Sequence, residues 1–259
     1  ALIAGGTLGA VRMMTALNYT DYMYRPRRPE EMDTAQGGGV VFSQGAHQID
    51  IVRLLGGGML ESVRAATGSG DPARPTEGAY AALLSFTGGA LATASYEGYG
   101  RFDTDEFMDW IGEMGTPKDR SRYGAARRAL AGADAAREAD LKAARNYGGA
   151  TYAGLPAPAA NRVHQHFGVM LVSCEHADLR LTPQGVMVYG DDAPRLEPVD
   201  VPAIPRAEVI DELHAAVIQG KPPLHDGAWA RATLEVCLAI LRSAREKRDV
   251  TLVPQTAAP

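Results

Sequence analysis

The chain has 259 residues and a formal net charge of −5. That length allows one large domain or two small ones, and the charge argues against wholesale nucleic-acid binding. Hydrophobic residues make up 46% and charged residues 22%, a globular balance, and no apolar run is long enough to span a bilayer. Taken from its start, the chain opens on ALIAGG, which is too short for a signal peptide and lacks the basic flank. It reads as the inside of a protein, with an N-terminal part expected before Ala1. Leu2 to Gly9 reads as a helix tail and a turn. Its glycines do not make a dinucleotide loop, because the position two after Gly5 is Thr7 and a strand, Val11 to Tyr19, follows.

Tyr19 to Glu31, YTDYMYRPRRPEE, is an extended loop with two prolines. It presents Arg25, Arg27 and Arg28 beside Tyr19, Tyr22 and Tyr24. Guanidinium forks match carboxylates, and tyrosines offer ring faces and hydroxyls. The loop therefore reads either as a site for an anionic small molecule or as a solvated loop whose arginines pair with Glu30 and Glu31. Next comes GGGVVFSQGAHQIDIVRLLGGG, Gly37 to Gly58, an apolar helix bracketed by glycine triplets. Its start is expected at Ser43 or Gln44, with Ser43 capping free N–H groups. Ser43, His47 and Asp50 share one side. A histidine one turn from a carboxylate is a general acid/base arrangement, with Asp50 orienting the ring; equally, His47 could make one structural hydrogen bond.

Strand patterns follow at Leu60 to Thr67, Gly78 to Phe86 and Ala90 to Tyr99, with a hairpin turn at Gly88-Gly89. Phe107 to Gly112, with Trp110, reads as a further short strand. Consecutive hairpins predict an antiparallel sheet and an α+β class. Lys118 to Asn146 is read as a helical excursion, broken near Gly132. Gly148 to Pro158 is a loop. Strands are expected at Phe167 to Cys174, Asp178 to Leu181 and Gly185 to Tyr189. Among them His164, His166, Cys174 and His176 give H-x-H and C-x-H spacings. A zinc site would need all four to converge, and Cys174 sits in an apolar run; a histidine facing a cleft is the preferred reading. Cys174 and Cys237 read as buried thiols in a reducing compartment, the cytoplasm by default. Val199 to Pro205 is a linker. Glu208 to Gln219 is an amphipathic helix with Val209, Leu213, Ala216 and Val217 inward. Asp226 caps a last helix, Ala228 to Lys247, with Leu234, Leu238 and Leu241 inward, and Val250 to Val253 is a terminal strand.

The pattern resembles the Gfo/Idh/MocA oxidoreductases, specifically their C-terminal domain. The carrying residues are IAGGTLGAVR (Ile3 to Arg12), GGGVVFSQGAHQIDIVRLLGG (Gly37 to Gly57) and GAWARATLEVCLAILRSAREKRDVTL (Gly227 to Leu252). Within the family, NYTDYMYRPRRPEE and HFGVMLVSCEHADLRLTPQGVMVY look like the 4,5-dihydroxyphthalate and phthalate dihydrodiol dehydrogenases. The resemblance implies an open, mostly antiparallel sheet with helices on one face, and a homodimer or homotetramer formed through the other. It makes residues 1–259 one substrate-binding and oligomerisation domain, with the excursion at about 118–146. The family's NAD- or NADP-binding Rossmann domain and its Glu-Lys-Pro motif are not found here; Lys221 precedes a proline but follows Gly220.

By resemblance the motif histidine is His47 and the later aspartate Asp50. Sugar- and inositol-oxidising relatives carry an aspartate where this chain has Ser43, which turns the expectation away from polyols. The implied reaction is oxidation of a carboxylated cyclic dihydrodiol, with His47 taking the hydroxyl proton. The implied binding residues are Ser43, Gln44, Tyr22, Arg25, Arg27, Arg28, His164 and His166. The expected partner is a small anionic cyclic substrate, with neither nucleic acid nor membrane. The rival readings are a non-catalytic binding or oligomerisation module, a sugar or polyol dehydrogenase, and, last, a zinc hydrolase.

Overall fold

The computed structural model describes residues 1–152, 162–202 and 206–253. The tail of the expected 148–158 loop and the end of the expected 199–205 linker lie outside the described residues. Among the described residues the core is one sheet of nine strands. β1 is Val11–Tyr19, β2 Leu60–Gly68, β3 Ala79–Phe86, β4 Leu91–Glu97, β5 Val169–Cys174, β6 Asp178–Thr182, β7 Gly185–Tyr189, β8 Pro194–Pro198 and β9 Val250–Thr251. Their order is β8-β7-β6-β5-β1-β4-β3-β2-β9. Two meanders, β2–β4 and β5–β8, therefore flank β1. Every neighbouring pair is antiparallel except β1 with β4.

That exception has a topological cause. After β1 the chain crosses one face as α1 (Ala46–Leu55), enters the sheet at β2 and winds back until β4 lies parallel to β1. The C-terminal ends of β1 and β4 consequently sit side by side. The loops leaving them, 20–40 and 98–118, meet at that end, and the candidate site is built there. The hairpin turn at Gly89 forms as expected, in the left-handed region at φ 85°.

One face of the sheet is buried beneath α1 and α5 (Gly227–Glu246). The inward positions run Met14, Ala16, Asn18 on β1 and Ala92, Ala94, Tyr96 on β4, the period-two alternation of strands. Small residues at the centre let α1 approach closely and bury Ile49 and Val52 completely, each worth about 1.5–3 kcal/mol. The other face leaves Met13, Leu83, Leu91 and Leu171 exposed. Among the described residues no helix is long and apolar enough to cross a membrane.

Several expectations need correction. The segment 107–112 is not a strand. It continues a 3-10 turn, Thr104–Met108, started by the Asp103 carboxylate on the Asp105 N–H, and then bends through left-handed Asp109 and Trp110. Leu2 to Gly9 is no helix: Gly5 N–H closes a turn on the Ala1 carbonyl at 2.8 Å, and the turn expected at Gly9 forms, its N–H on the Gly6 carbonyl at 3.1 Å. β8 escaped prediction because prolines bound it, as an edge strand tolerates. α5 starts on Asp226 as predicted, its carboxylate accepting the Trp229 N–H at 2.8 Å. Leu234 and Leu238, however, point outward and are half exposed. Its contact face is the smaller set Ala232, Val236, Ala239, Ile240 and Ser243; Ser243 Oγ accepts the Ala65 N–H of β2 at 2.9 Å, and a leucine there would hold the helix off. The predicted inner face of α4 (Ala207–Gln219) is also exposed: Val209, Leu213 and Val217 stand in the open, with Ala216 half-buried. The excursion is helical as read, with α2 at Ala125–Leu130 and α3 at Ala135–Arg145 separated at Gly132.

Candidate functional site

The organising helix begins earlier than its serine suggested. A wide π turn, Val41–Gly45, precedes α1, and the Ala46 N–H reaches the Val41 carbonyl five residues back. Such turns widen a helix and recur at functional sites. Its free N–H end is met by Glu77, a buried carboxylate that accepts from Val41 N–H at 3.4 Å and from the Thr34 hydroxyl. Gly39 makes room for it: at φ 84°, a Cβ there would lie 1.9 Å from Glu77 Oε1. Ser43 is therefore no cap; its hydroxyl donates back to the Gly39 carbonyl.

His47 projects from the first turn of α1 and is exposed. Its ring lies 5.6 Å from that of Phe167, measured between centroids, and among the described residues it makes no hydrogen bond. Phe167 stacks on Tyr96 at 6.2 Å, and Tyr96 on Tyr80 at 6.4 Å. Tyr22 meets Tyr96 edge-on at 6.3 Å. This aromatic wall has a polar rim, because the Tyr96 hydroxyl lies 2.9 Å from Thr20 Oγ1 and donates to Gln44 Oε1 at 3.3 Å. Burial pushes the Tyr96 phenol well above its ordinary range, so it stays a hydroxyl.

Asp50 does not orient His47. Its Oδ1 accepts from Trp229 Nε1 at 2.6 Å and from the Thr233 hydroxyl at 3.0 Å, and its Oδ2 lies 3.6 Å from His225. His225 is in turn gripped by Glu212, through its N–H and its Nδ1, each at 2.8 Å. Asp50 thus ties α1 to α5 and, through His225, to α4. Beside it Arg53 is wholly buried, 4.0 Å over the Trp229 ring, and donates to Thr233 at 2.7 Å.

The three arginines of the tyrosine loop do not converge. Arg27 is buried, lies 3.5 Å over the Tyr22 ring and donates to the Tyr22 carbonyl at 2.8 Å, which is a packing role. Arg28 stays in solvent and pairs with Glu30 at 3.3 Å and Glu31 at 3.7 Å. Arg25 is half-buried, 5.6 Å from the centroid of the Tyr22 ring that it shares with Arg27, and pairs with Asp21 at 3.5 Å. Desolvation would lower its pKa, but the charge of Glu113, with Tyr96 and Asp21, outweighs this and holds it above the ordinary value.

His164 and His166 are buried with both ring nitrogens engaged. His164 contacts the Gln165 carbonyl at 2.9 Å and the Thr182 carbonyl at 2.5 Å. His166 contacts the Ile111 carbonyl at 2.9 Å and accepts the Gly168 N–H at 3.2 Å. They lace the 111–117 loop to the sheet and present no free nitrogen to a cleft. Beneath them Asp105 is raised by burial, against the opposing pull of Lys118, 2.8 Å away. Among the described residues no three of His, Cys, Asp or Glu converge as a metal site. Cys174 and Cys237 are free and buried, and burial pushes the Cys237 thiol up to about 12.

The residues that sequence reasoning missed are Tyr96, Phe167, Asn18 and Glu113. Asn18 Nδ2 donates to Glu113 at 3.2 Å and its Oδ1 accepts from Thr104 at 2.8 Å. A signal existed: Met14-Ala16-Asn18 and Ala92-Ala94-Tyr96 each end an inward apolar file on a polar-tipped residue. No described strand–glycine loop–helix unit forms a cradle for a dinucleotide; the glycines at 5, 6 and 9 open directly into β1.

The fold is that of the Gfo/Idh/MocA C-terminal domain, and residues 1–116 match the family model described as GFO/IDH/MocA C-terminal domain. The chain is 42% identical over 249 residues to a 1-carboxy-3-chloro-3,4-dihydroxycyclohexa-1,5-diene dehydrogenase of Comamonas testosteroni, covering 94% of this chain and 62% of that relative. It is also 42% identical, at a TM-score of 0.87, to a crystal structure from Bordetella bronchiseptica RB50 to which dehydrogenase activity is ascribed, covering 97% of this chain and 65% of that one. The fold recurs in the WlbA dehydrogenase of Bordetella pertussis, solved with NADH and UDP-GlcNAcA, at 17% identity and a TM-score of 0.53 over 97% of this chain and 57% of that one. The chain thus spans less than two thirds of the length of these relatives.

Proposed function

We propose that this chain is the substrate-binding part of a Gfo/Idh/MocA dehydrogenase that oxidises a carboxylated cyclic dihydrodiol, with phthalate-type rings as the finer substrate class. The observation that carries the reading is His47: exposed, without an internal hydrogen bond, and set against an aromatic wall that Arg25 also reaches. A flat ring fits against the half-buried Phe167, which Tyr96 backs from within. An imidazole nitrogen takes the hydroxyl proton as the C–O bond gains double-bond character. Gln44 offers a polar partner for the second hydroxyl. Arg25 pairs with the ring carboxylate once the substrate competes it away from Asp21. The hydride acceptor is NAD or NADP, held mainly outside these residues. The ketone formed tautomerises to a dihydroxyaromatic product.

The test is a charge-removing change at Arg25 in the full-length enzyme. Arg25→Met should raise KM for the carboxylated diol about tenfold, as loss of a charge-assisted contact does, and leave KM for a neutral cyclic diol unchanged. Equal effects on both substrates would overturn the carboxylate role. We also propose that the open sheet face pairs protomers, because Met13, Leu83, Leu91 and Leu171 form an exposed apolar stripe at its centre. Light scattering should show a dimer or tetramer that Leu83→Lys weakens; an oligomer unaffected by the change would place the contact elsewhere.

A further inference from the structure

A cavity of about 890 Å³ lies between the 100–119 loop and the helical excursion. His47, Gln44, Tyr96 and Phe167 do not line it; Arg25 does. Its walls carry the aromatic rings of Phe102, Trp110 and Tyr123 and the guanidiniums of Arg120, Arg122 and Arg145. In an acidic protein this is a local excess of positive charge.

Several of the chain's arginines are neutralised in place. Arg28, Arg74, Arg195 and Arg242 are each paired with a carboxylate. Among the described residues Arg120, Arg122 and Arg145 form no ion pair. Asp119, which also lines the cavity, gives Oδ1 to the N–H and hydroxyl of Ser121; these bonds, and to a lesser degree the charge of Arg122, hold its carboxyl below the ordinary value. The ring in the wall is also deliberately placed. Asp109 and Trp110 both adopt left-handed backbone, at φ 54° and 57°, a conformation that side chains resist and that persists where the surroundings enforce it. Here the Trp110 N–H is held by the Asp105 carbonyl at 2.7 Å, and its carbonyl by the Lys118 N–H at 2.8 Å. The result sets the indole at the cavity wall, with Arg120 lying 5.0 Å from its ring centroid.

Unpaired guanidinium forks beside fixed ring faces recognise one chemistry: a planar anion, bound edge-on through carboxylates and face-on by stacking. The volume is within the range of small-molecule sites. We propose that this cavity is a binding site for planar ring carboxylates in addition to the candidate site at His47. The anion part stands on the cavity alone; the ring part rests also on the dehydrogenase reading, since substrate and product of that reaction are such molecules. A site of this kind would concentrate anionic substrate near the candidate site or retain product beside it.

Titration of the full-length protein with benzene-1,2-dicarboxylate, followed by tryptophan emission, tests this. The chain has two tryptophans, and Trp229 is buried against α1, so a saturable change should vanish in Trp110→Phe. Affinity should fall about tenfold or more in Arg120→Ser/Arg122→Ser, as for lost charge-assisted contacts, and remain in His47→Asn. Both arginines are exposed, so the double variant should fold normally. Unsaturable quenching, undiminished binding in the double variant, or equal competition by inorganic phosphate would each overturn the proposal. Loss of binding in His47→Asn would overturn it too, by placing the dicarboxylate at His47. None of these outcomes depends on turnover, so they separate from a failure of the catalytic reading.

Discussion

If His47 is the general base of the proposed reaction, replacing it with alanine in the full-length protein should lower kcat by about 10²-fold or more, the usual cost of losing such a group. Asp50→Asn behaves differently. The Asp50 carboxylate is committed to Trp229 Nε1 and Thr233 on α5, so its loss is felt in the joint between helices. Asparagine keeps an acceptor of similar shape, and the expected cost is about 1–2 kcal/mol of stability, as for a weakened buried hydrogen bond to a charged group. Turnover is retained. Steady-state kinetics and denaturant unfolding on the two variants separate the roles. Matching losses of turnover would restore a proton relay through Asp50, and near-normal turnover in His47→Ala would remove the histidine from the chemistry.

The second large effect is on stability. Arg74 and Glu138 form a two-pronged pair at 2.6 and 3.0 Å, with side chains 8% and 13% exposed. Glu138 also accepts the Arg27 N–H at 2.7 Å. One glutamate of α3 thus clamps the excursion to the 69–77 loop and to the tyrosine loop that carries Arg25. Lys142 to Glu31, at 2.8 Å, repeats the link nearer the surface. Arg74→Ala leaves Glu138 buried without its counter-charge and should cost about 3 kcal/mol, at the lower end for a broken buried pair. Arg74→Met with Glu138→Leu removes both charges and should be less destabilised than either single variant. Urea unfolding measures the first, and limited proteolysis between α2 and α3 shows whether the excursion opens locally. A cost under about 0.5 kcal/mol for Arg74→Ala would mean that solvent screens the pair as it does surface pairs.

The two predictions concern the same architecture. The parallel β1/β4 neighbours bring two loops and the start of α1 to one end of the sheet. The excursion then braces the loop carrying Arg25. Catalytic function depends on that bracing only through geometry, so the Arg74 variants should lose stability before they lose chemistry.

Much of this was legible in the chain itself. Most strands were readable because period-two alternation and Gly-rich turns are local signals; the proline-bounded β8 was missed and 107–112 was misread as a strand. The glycine-bracketed helix, with its exposed histidine, was legible for the same reason. So was the Asp226 cap. What failed were the statements about partners. Ser43 looked like a cap, but Glu77, distant in sequence, meets the helix end. Asp50 looked like a partner for His47, three residues away, but Trp229 and Thr233 take its lone pairs. Arg25, Arg27 and Arg28 looked like one cluster, yet one stacks on Tyr22, one faces solvent and one reaches the wall. His164 and His166 looked available and are consumed by carbonyls. Leu234 and Leu238 looked inward because amphipathic spacing marks a stripe without saying which neighbour it meets. The physical reason is common to all. Periodicity, caps and turns are set by residues within one or two turns of each other, so sequence determines them alone. A hydrogen bond or a burial is decided by which residues the topology brings together, here across gaps such as Asp50 to Thr233, and only the tertiary structure states that.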